Sequence, residues 1–254
     1  MGNNNDKIDN NSDDIINAFV GAVRPLDLIV FRGEGGVSTM IEKMEKKQTG
    51  SGAISHVEVA MNRAWCPKTT AETDEMLSWG STMSGPLNDN VCNIETGKSF
   101  FGVQLRSLRE LAREYYNNKH ANIGYCRLLN NPAAELAPNS PAGAALREGI
   151  CSAYDKYNGR SYSVNPLHLL TPLLPFARKF APEHPDGLFC SEFVALVYIE
   201  LGIINDTTDG VIDGRVPDAR NVLPVDFLGH DADEDGLIVP VCEPEPVWLK
   251  PVAD

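Results

Sequence analysis

A cysteine and a histidine, far apart in the chain, are the residues whose surroundings suit covalent chemistry. Cys190 stands in Gly187-Leu-Phe-Cys190-Ser-Glu-Phe-Val-Ala-Leu-Val-Tyr-Ile-Glu-Leu-Gly202, where the turn Pro185-Asp-Gly187 runs into an apolar helix. The first four N–H groups of a helix lack partners within it, and the macrodipole favours negative charge there. A thiol so placed ionises more readily, and the thiolate is the nucleophile. His56 lies far upstream in Ile54-Ser-His56-Val-Glu-Val-Ala-Met61, a strand-like segment. A cysteine on a helix start and a histidine on a strand are the two parts of a thiol hydrolase or acyltransferase.

Both residues have plainer roles to compete with. Cysteine is among the most buried residue types, so Cys66, Cys92, Cys126, Cys151 and Cys242 are expected simply to pack. Cys190 differs from them by its turn-to-helix context. A strand histidine is more often a satisfied core or surface residue than a base. The other four, His120, His168, His184 and His230, stand in loop or polar contexts; His184 belongs to the turn His-Pro-Asp-Gly.

The elements that must position the pair follow from periodicity. Residues 15–23 suit a short helix or strand, and Leu28 to Phe31 a buried strand. Val37 to Lys46 has apolar residues at helical spacing. Ala53 to Met61 alternates, with His56, Glu58 and Ala60 on one face and Val57, Val59 and Met61 on the other. Met76 to Trp79, Phe100 to Leu105 and Ile123 to Leu129 are further strands. Ser107-Leu-Arg-Glu110 is a capping box opening a helix whose face is Leu108, Leu111, Ala112 and Tyr115. Pro132 to Pro141 is expected as a loop, Ala144 to Tyr157 as an amphipathic helix stopped by Gly159, and Leu167 to Phe176 as a buried or pocket-lining loop. Leu223 to Phe227 and Leu237 to Val241 are expected as short extended pieces. Strands and helices are mixed, which predicts an α+β fold with a disordered polar tail over 1–14 and one domain over 15–254.

Composition narrows the partners. The 254 residues carry a net charge of −13, and the richest basic segment is Lys43-Met-Glu-Lys-Lys47. Nucleic acid and anionic membrane are therefore disfavoured as partners. Widely spread cysteines without a C-x-x-C pair, and an N-terminus lacking an apolar stretch, predict a reducing, cytoplasmic setting without a transmembrane segment. Gly2 fits the start of a myristoylation signal, but Asp6 stands where Ser or Thr is wanted. Asp231-Ala-Asp-Glu-Asp-Gly236 begins like a calcium loop, yet Cys242 falls where the closing glutamate belongs. No zinc spacing or phosphate-binding glycine loop is present, so neither metal nor cofactor is expected.

In order along the chain, several segments together resemble the circularly permuted branch of the papain-like NlpC/P60 superfamily. Asp27-Leu-Ile-Val-Phe31 resembles its "G-D-L-I-x-F" strand, Ser55-His-Val-Glu-Val59 its "S-H-V-G-I" strand, and Phe189-Cys-Ser-Glu-Phe-Val194 its "x-C-S-E-L/F-V" helix start. Tyr157 to Tyr162 and Leu223 to Phe227 sit where the family has "G-x-x-Y" and "P-x-D-F". The branch includes YiiX-like bacterial proteins, a poxvirus group and, distantly, the lecithin:retinol acyltransferases. The resemblance implies a papain-like fold, a small antiparallel sheet or barrel packed on helices, with Cys190 as nucleophile and His56 as base. It also implies an orienting polar residue, often glutamate, on the strand after the histidine strand. The corresponding stretch here offers Trp79, Gly80 and nearby Ser81, while Glu58 replaces the family's usual glycine. Ser81 and Glu58 are thus the candidates for the third place.

The leading expectation is a thiol-dependent hydrolase, a cysteine amidase or peptidase, attacking an amide or ester, with a peptide amide or lipid ester as substrate. Its rivals are a lipid-ester acyltransferase or acyl hydrolase, and a non-catalytic virion or scaffold component that keeps the fold. A viral source would place the chain in host cytoplasm or virion. Oligomeric state leaves no trace in the sequence.

Overall fold

A computed structural model describes residues 4–33, 54–70, 75–82, 90–163, 187–204, 222, 224–228 and 241–251. The expected helix over Val37 to Lys46, the apolar loop Leu167 to Phe176 and the acidic loop Asp231 to Gly236 lie outside these residues, as does most of Leu237 to Val241. The class is α+β.

Among the described residues eight strands form one open sheet: β1 (Leu28–Gly33), β2 (His56–Met61), β3 (Leu77–Thr82), β4 (Gly102–Ser107), β5 (Ala121–Cys126), β6 (Ser161–Tyr162), β7 (Gly187–Leu188) and β8 (Val247–Trp248). Their spatial order is β7-β6-β4-β3-β2-β1-β5-β8. All neighbours are antiparallel except β6 and β7, which run parallel at one edge. The sheet is therefore larger and more mixed than the small antiparallel one expected. No helix among the described residues is long and apolar enough to cross a membrane.

Alternation along the strands sorts side chains onto two faces. Leu28, Val30, Val57, Val59, Met61, Trp79, Val103 and Leu105 form one core with α4 (Pro141–Tyr157) and α5 (Cys190–Glu200). Ile29, Phe31, Ala60, Ile123 and Tyr125 form the other with α1 (Asn4–Ala22) and α2 (Leu108–Asn117). α5 is buried along most of its length, as its all-round apolar sequence requires.

Three segments depart from expectation. α1 runs through the stretch expected as a polar tail, because Ile16, Phe19, Val20 and Val23 recur at helical spacing and bury against α2. Asp13 extends the attachment through an ion pair with Arg113. Asn131 caps a short helix, α3 (Pro132–Glu135), within the expected loop: its side chain accepts from the Ala133 N–H, and Pro132 occupies the first turn. Pro224–Leu228 is a 3-10 helix rather than an extended piece. α4 ends as predicted, with Gly159 at a positive φ of 79° just past it.

Candidate active site

The site is built where β2 and β3 part. Their ladder runs only from Val59 opposite Trp79 to Met61 opposite Leu77. Beyond it β2 stays with β1, pairing His56 with Phe31, and β3 stays with β4, pairing Ser81 with Val103. The start of α5 fills the opening. The Ser81 hydroxyl donates to the Leu188 carbonyl at 2.6 Å, fixing the residues just before Cys190 to β3. On the other side of the gap the Val57 N–H, left out of the β2–β3 ladder, donates to the Cys190 sulfur, as does the N–H of Ser191. Glu192 closes the helix start by accepting from the Phe189 N–H at 3.2 Å.

Through the same opening the Cys190 thiol meets the His56 ring by a hydrogen bond. His56 Nε2 lies 2.9 Å from Glu58 Oε1, which leaves Nδ1 for the sulfur. The two residues are two apart on β2 and so share a face. Glu58 is fully buried and gathers three partners: His56, the Ser78 hydroxyl at 2.5 Å and an Arg106 guanidinium nitrogen at 2.5 Å. Arg106 is on β4, two strands away. Glu58 reaches it because Gly80 lies between: a Cβ at Gly80 would stand 2.2 Å from Glu58 Cγ. The glycine is a vacancy that the glutamate side chain occupies.

Electrostatics follow from these contacts. Burial alone would push the Cys190 thiol up, but the His56 charge, the His56 hydrogen bond and the two N–H donors outweigh it, and the thiol is held below its ordinary value. Burial also opposes the His56 cation; the Cys190 sulfur and then Glu58 overcome it and raise the imidazole to about 9. Burial would neutralise Glu58, yet Arg106, His56 and Ser78 hold it down at about 2. The favoured state is a thiolate beside an imidazolium, backed by a carboxylate and a guanidinium. Such a pair can attack an electrophilic acyl carbon and return a proton to a leaving group.

Of the four residues singled out from the sequence, Cys190, His56 and Glu58 come together. Ser81 does not reach His56; it braces the segment leading to Cys190. His120 is exposed, and the other histidines lie outside the described residues. Sequence reasoning missed Arg106 and Ser78. Gln104 and Arg106 alternate with Val103 and Leu105, the ordinary pattern of a solvated strand face, but α2 packs against β4 and Arg106 is buried. Among the described residues no three His, Cys, Asp or Glu side chains cluster as a metal ion would require.

No family model matches the chain, and no curated protein matches it. Geometry and chemistry carry the functional argument.

Proposed function

We propose that the chain is a thiol-dependent acyl-transfer enzyme, a cysteine amidase or peptidase of the permuted papain-like NlpC/P60 type. The observation that carries this is the contact series Cys190, His56, Glu58, with the thiol lowered and the imidazole raised. The order of parts, histidine strand before cysteine helix, supports the same reading.

The mechanism uses these atoms directly. The Cys190 thiolate attacks the acyl carbon of an amide or ester, and the carbonyl oxygen takes up negative charge. The Cys190 N–H, at the start of α5, would stabilise that oxyanion. Collapse forms a thioester at Cys190 and expels the leaving group, which takes the proton held by His56. Neutral His56 then accepts a proton from water as its oxygen attacks the thioester, regenerating the acid product and the thiolate. Glu58 holds the ring by Nε2, which keeps Nδ1 toward the sulfur and stabilises the imidazolium.

The test is to incubate the protein separately with peptide-amide and phospholipid libraries and search the Cys190 peptide for an acyl adduct by mass spectrometry. An adduct from peptide amides, lost in His56→Ala, is expected. Adducts from lipids alone would replace the peptidase with an acyltransferase. If Cys190 forms no adduct and its alkylation follows an ordinary thiol pH profile unchanged by His56→Ala, the enzyme proposal fails.

A further inference from the structure

Four groups of alternating sign lie in a row: the Arg106 guanidinium, the Glu58 carboxylate, the His56 imidazolium and the Cys190 thiolate. Arg106 and Glu58 are 1% and 0% exposed, and His56 is 20% exposed. Charges out of water are costly unless paired, and a paired row with no net charge is the least costly way to hold several of them. Removing one end of the row leaves a net charge in a low-dielectric site, and the remaining groups respond by gaining or losing a proton.

We propose that Arg106 is a positioning residue for the Cys190 chemistry, whose guanidinium balances buried Glu58 so that the imidazolium–thiolate pair forms in an otherwise neutral row. This rests on the proposed function, because it assigns Arg106 a part in the same proton inventory. Arg106 acts through Glu58, to which its guanidinium is bonded.

Among the described residues, these are the groups packed around the row. β1 presents Ile29 and Phe31 to Glu58 and His56, and the Phe31 ring lies 5.1 Å from the His56 ring. β3 contributes Ser78 and Gly80, and β4 contributes Gln104 beside Arg106. α2 adds Leu108 and Leu111 beneath, and Tyr115 against Phe31. Glu75 and Arg109, at the strand and helix ends beside Ser107, are partly exposed and lie 3.7 Å from each other. Near the sulfur, Tyr162 is raised, by burial and then by Cys190, and so stays neutral, while Glu192 caps the helix start.

The experiment measures iodoacetamide alkylation of Cys190 against pH, read on the Cys190 peptide by mass spectrometry, in the full chain. Arg106→Met leaves a net negative row, so the rate profile should move up by about one pKa unit. That is about a tenfold slower reaction at any pH below the transition. Arg106→Lys keeps the charge and should keep the profile near wild type. Arg106→Met combined with Glu58→Gln restores a neutral row and should bring the profile back toward wild type. A loss of mere packing would not be undone by a second substitution.

Arg106→Met strands a buried carboxylate and can fail to fold, so the same charge is also read without it. Glu58→Gln alone carries one excess positive charge and should alkylate at lower pH than Glu58→Gln with Arg106→Met. Equal profiles in that pair, or an unmoved profile in folded Arg106→Met, overturn the proposal. If wild type is depressed and His56→Ala removes the depression while Arg106 has no influence, only this inference falls. If wild type itself shows an ordinary thiol profile, the proposed function falls with it.

Discussion

The two ends of strands β1 and β2 each hold a buried carboxylate, an arginine and cysteine sulfur, and only one end is built for chemistry. At the first, Asp27 accepts from Arg127 at 2.9 Å, the Leu128 N–H at 3.2 Å, the Asn131 amide at 3.1 Å and the Arg24 N–H at 2.9 Å. Cys126 and Cys242 are close by, and both thiols are pushed up, by burial and then by neighbouring negative groups that include Asp27. At the second, Glu58 accepts from Arg106 and Ser78, but its third partner is His56, and Cys190 beyond it is pushed down.

Burial is common to both ends and cannot be what makes a thiol reactive. The donors around Asp27 keep their protons throughout, so that end locks β1 to the segment after β5. His56 is a donor that can also give its proton up. Interposed between carboxylate and sulfur, it turns the field at the sulfur from repulsive to attractive, and the N–H groups of Val57 and Ser191 add to it.

The largest test of this contrast removes its terms outright. Cys190→Ala should abolish acyl-adduct formation, and His56→Ala should slow turnover by about 10² to 10⁴-fold. In His56→Ala the Cys190 thiol should behave like Cys126 and Cys242, silent to alkylation until the protein unfolds. Alkylation of Cys126 or Cys242 in the folded protein, as fast as that of Cys190, would erase the distinction.

Glu58→Gln should cost about one to two orders of magnitude in turnover and bring the His56 transition down from about 9, visible as a lower alkaline limb of the rate profile. Gly80→Ala should partly reproduce this loss by displacing Glu58. Exchanging the two, Glu58→Gly with Gly80→Glu, returns a carboxylate to the same space from the adjacent strand and should recover activity relative to Glu58→Gly alone. No recovery would mean that the carboxylate must arise from β2.

Asp27→Asn should do the reverse of Glu58→Gln. It weakens a hydrogen-bonded knot, so stability should fall by about 1 to 3 kcal/mol in denaturant titration, while the Cys190 alkylation profile stays in place. A displaced profile would show that the two ends are coupled.

The smallest effect is on stability against pH. Glu58 is depressed to about 2 in the folded protein, so its contribution is full above the ordinary carboxylate value of 4.5 and disappears as pH falls through about 2. His56 is raised to about 9, so its contribution is full below 6.5 and disappears as pH rises through about 9. Thermal unfolding should show both limbs, and His56→Ala should lack the alkaline one. An unchanged alkaline limb in that variant would place its origin elsewhere.

Local signals were legible wherever chemistry is written in neighbouring residues. The strand alternation of Val57, Val59 and Met61 marks a core face, and Ser107 caps its helix, its side chain accepting from the Glu110 N–H. Cys190 opens a helix, as expected, where the largely apolar run from Phe193 follows the short strand β7. Glu58 was legible as sharing the His56 face, since two residues along a strand always do. Ser81 was a reasonable rival, being near in sequence to the expected position. Its hydroxyl is instead used by the Leu188 carbonyl, a partner on a segment far along the chain.

What the sequence by itself determined is the set of local geometries: a cysteine at a helix start, and a histidine and a glutamate on one strand face. Only tertiary structure decided that they meet. The register of β2 against β3 breaks beyond Val59 and Trp79, opening the place that α5 enters and freeing the Val57 N–H for the sulfur. Register across β3 likewise puts Gly80 under Glu58, so that the carboxylate spans it to Arg106. Strand pairing is a non-local choice, and a charged residue in an alternating strand looks the same whether water or a helix covers it. Burial beside α2 made Arg106 a buried charge and gave it something to balance.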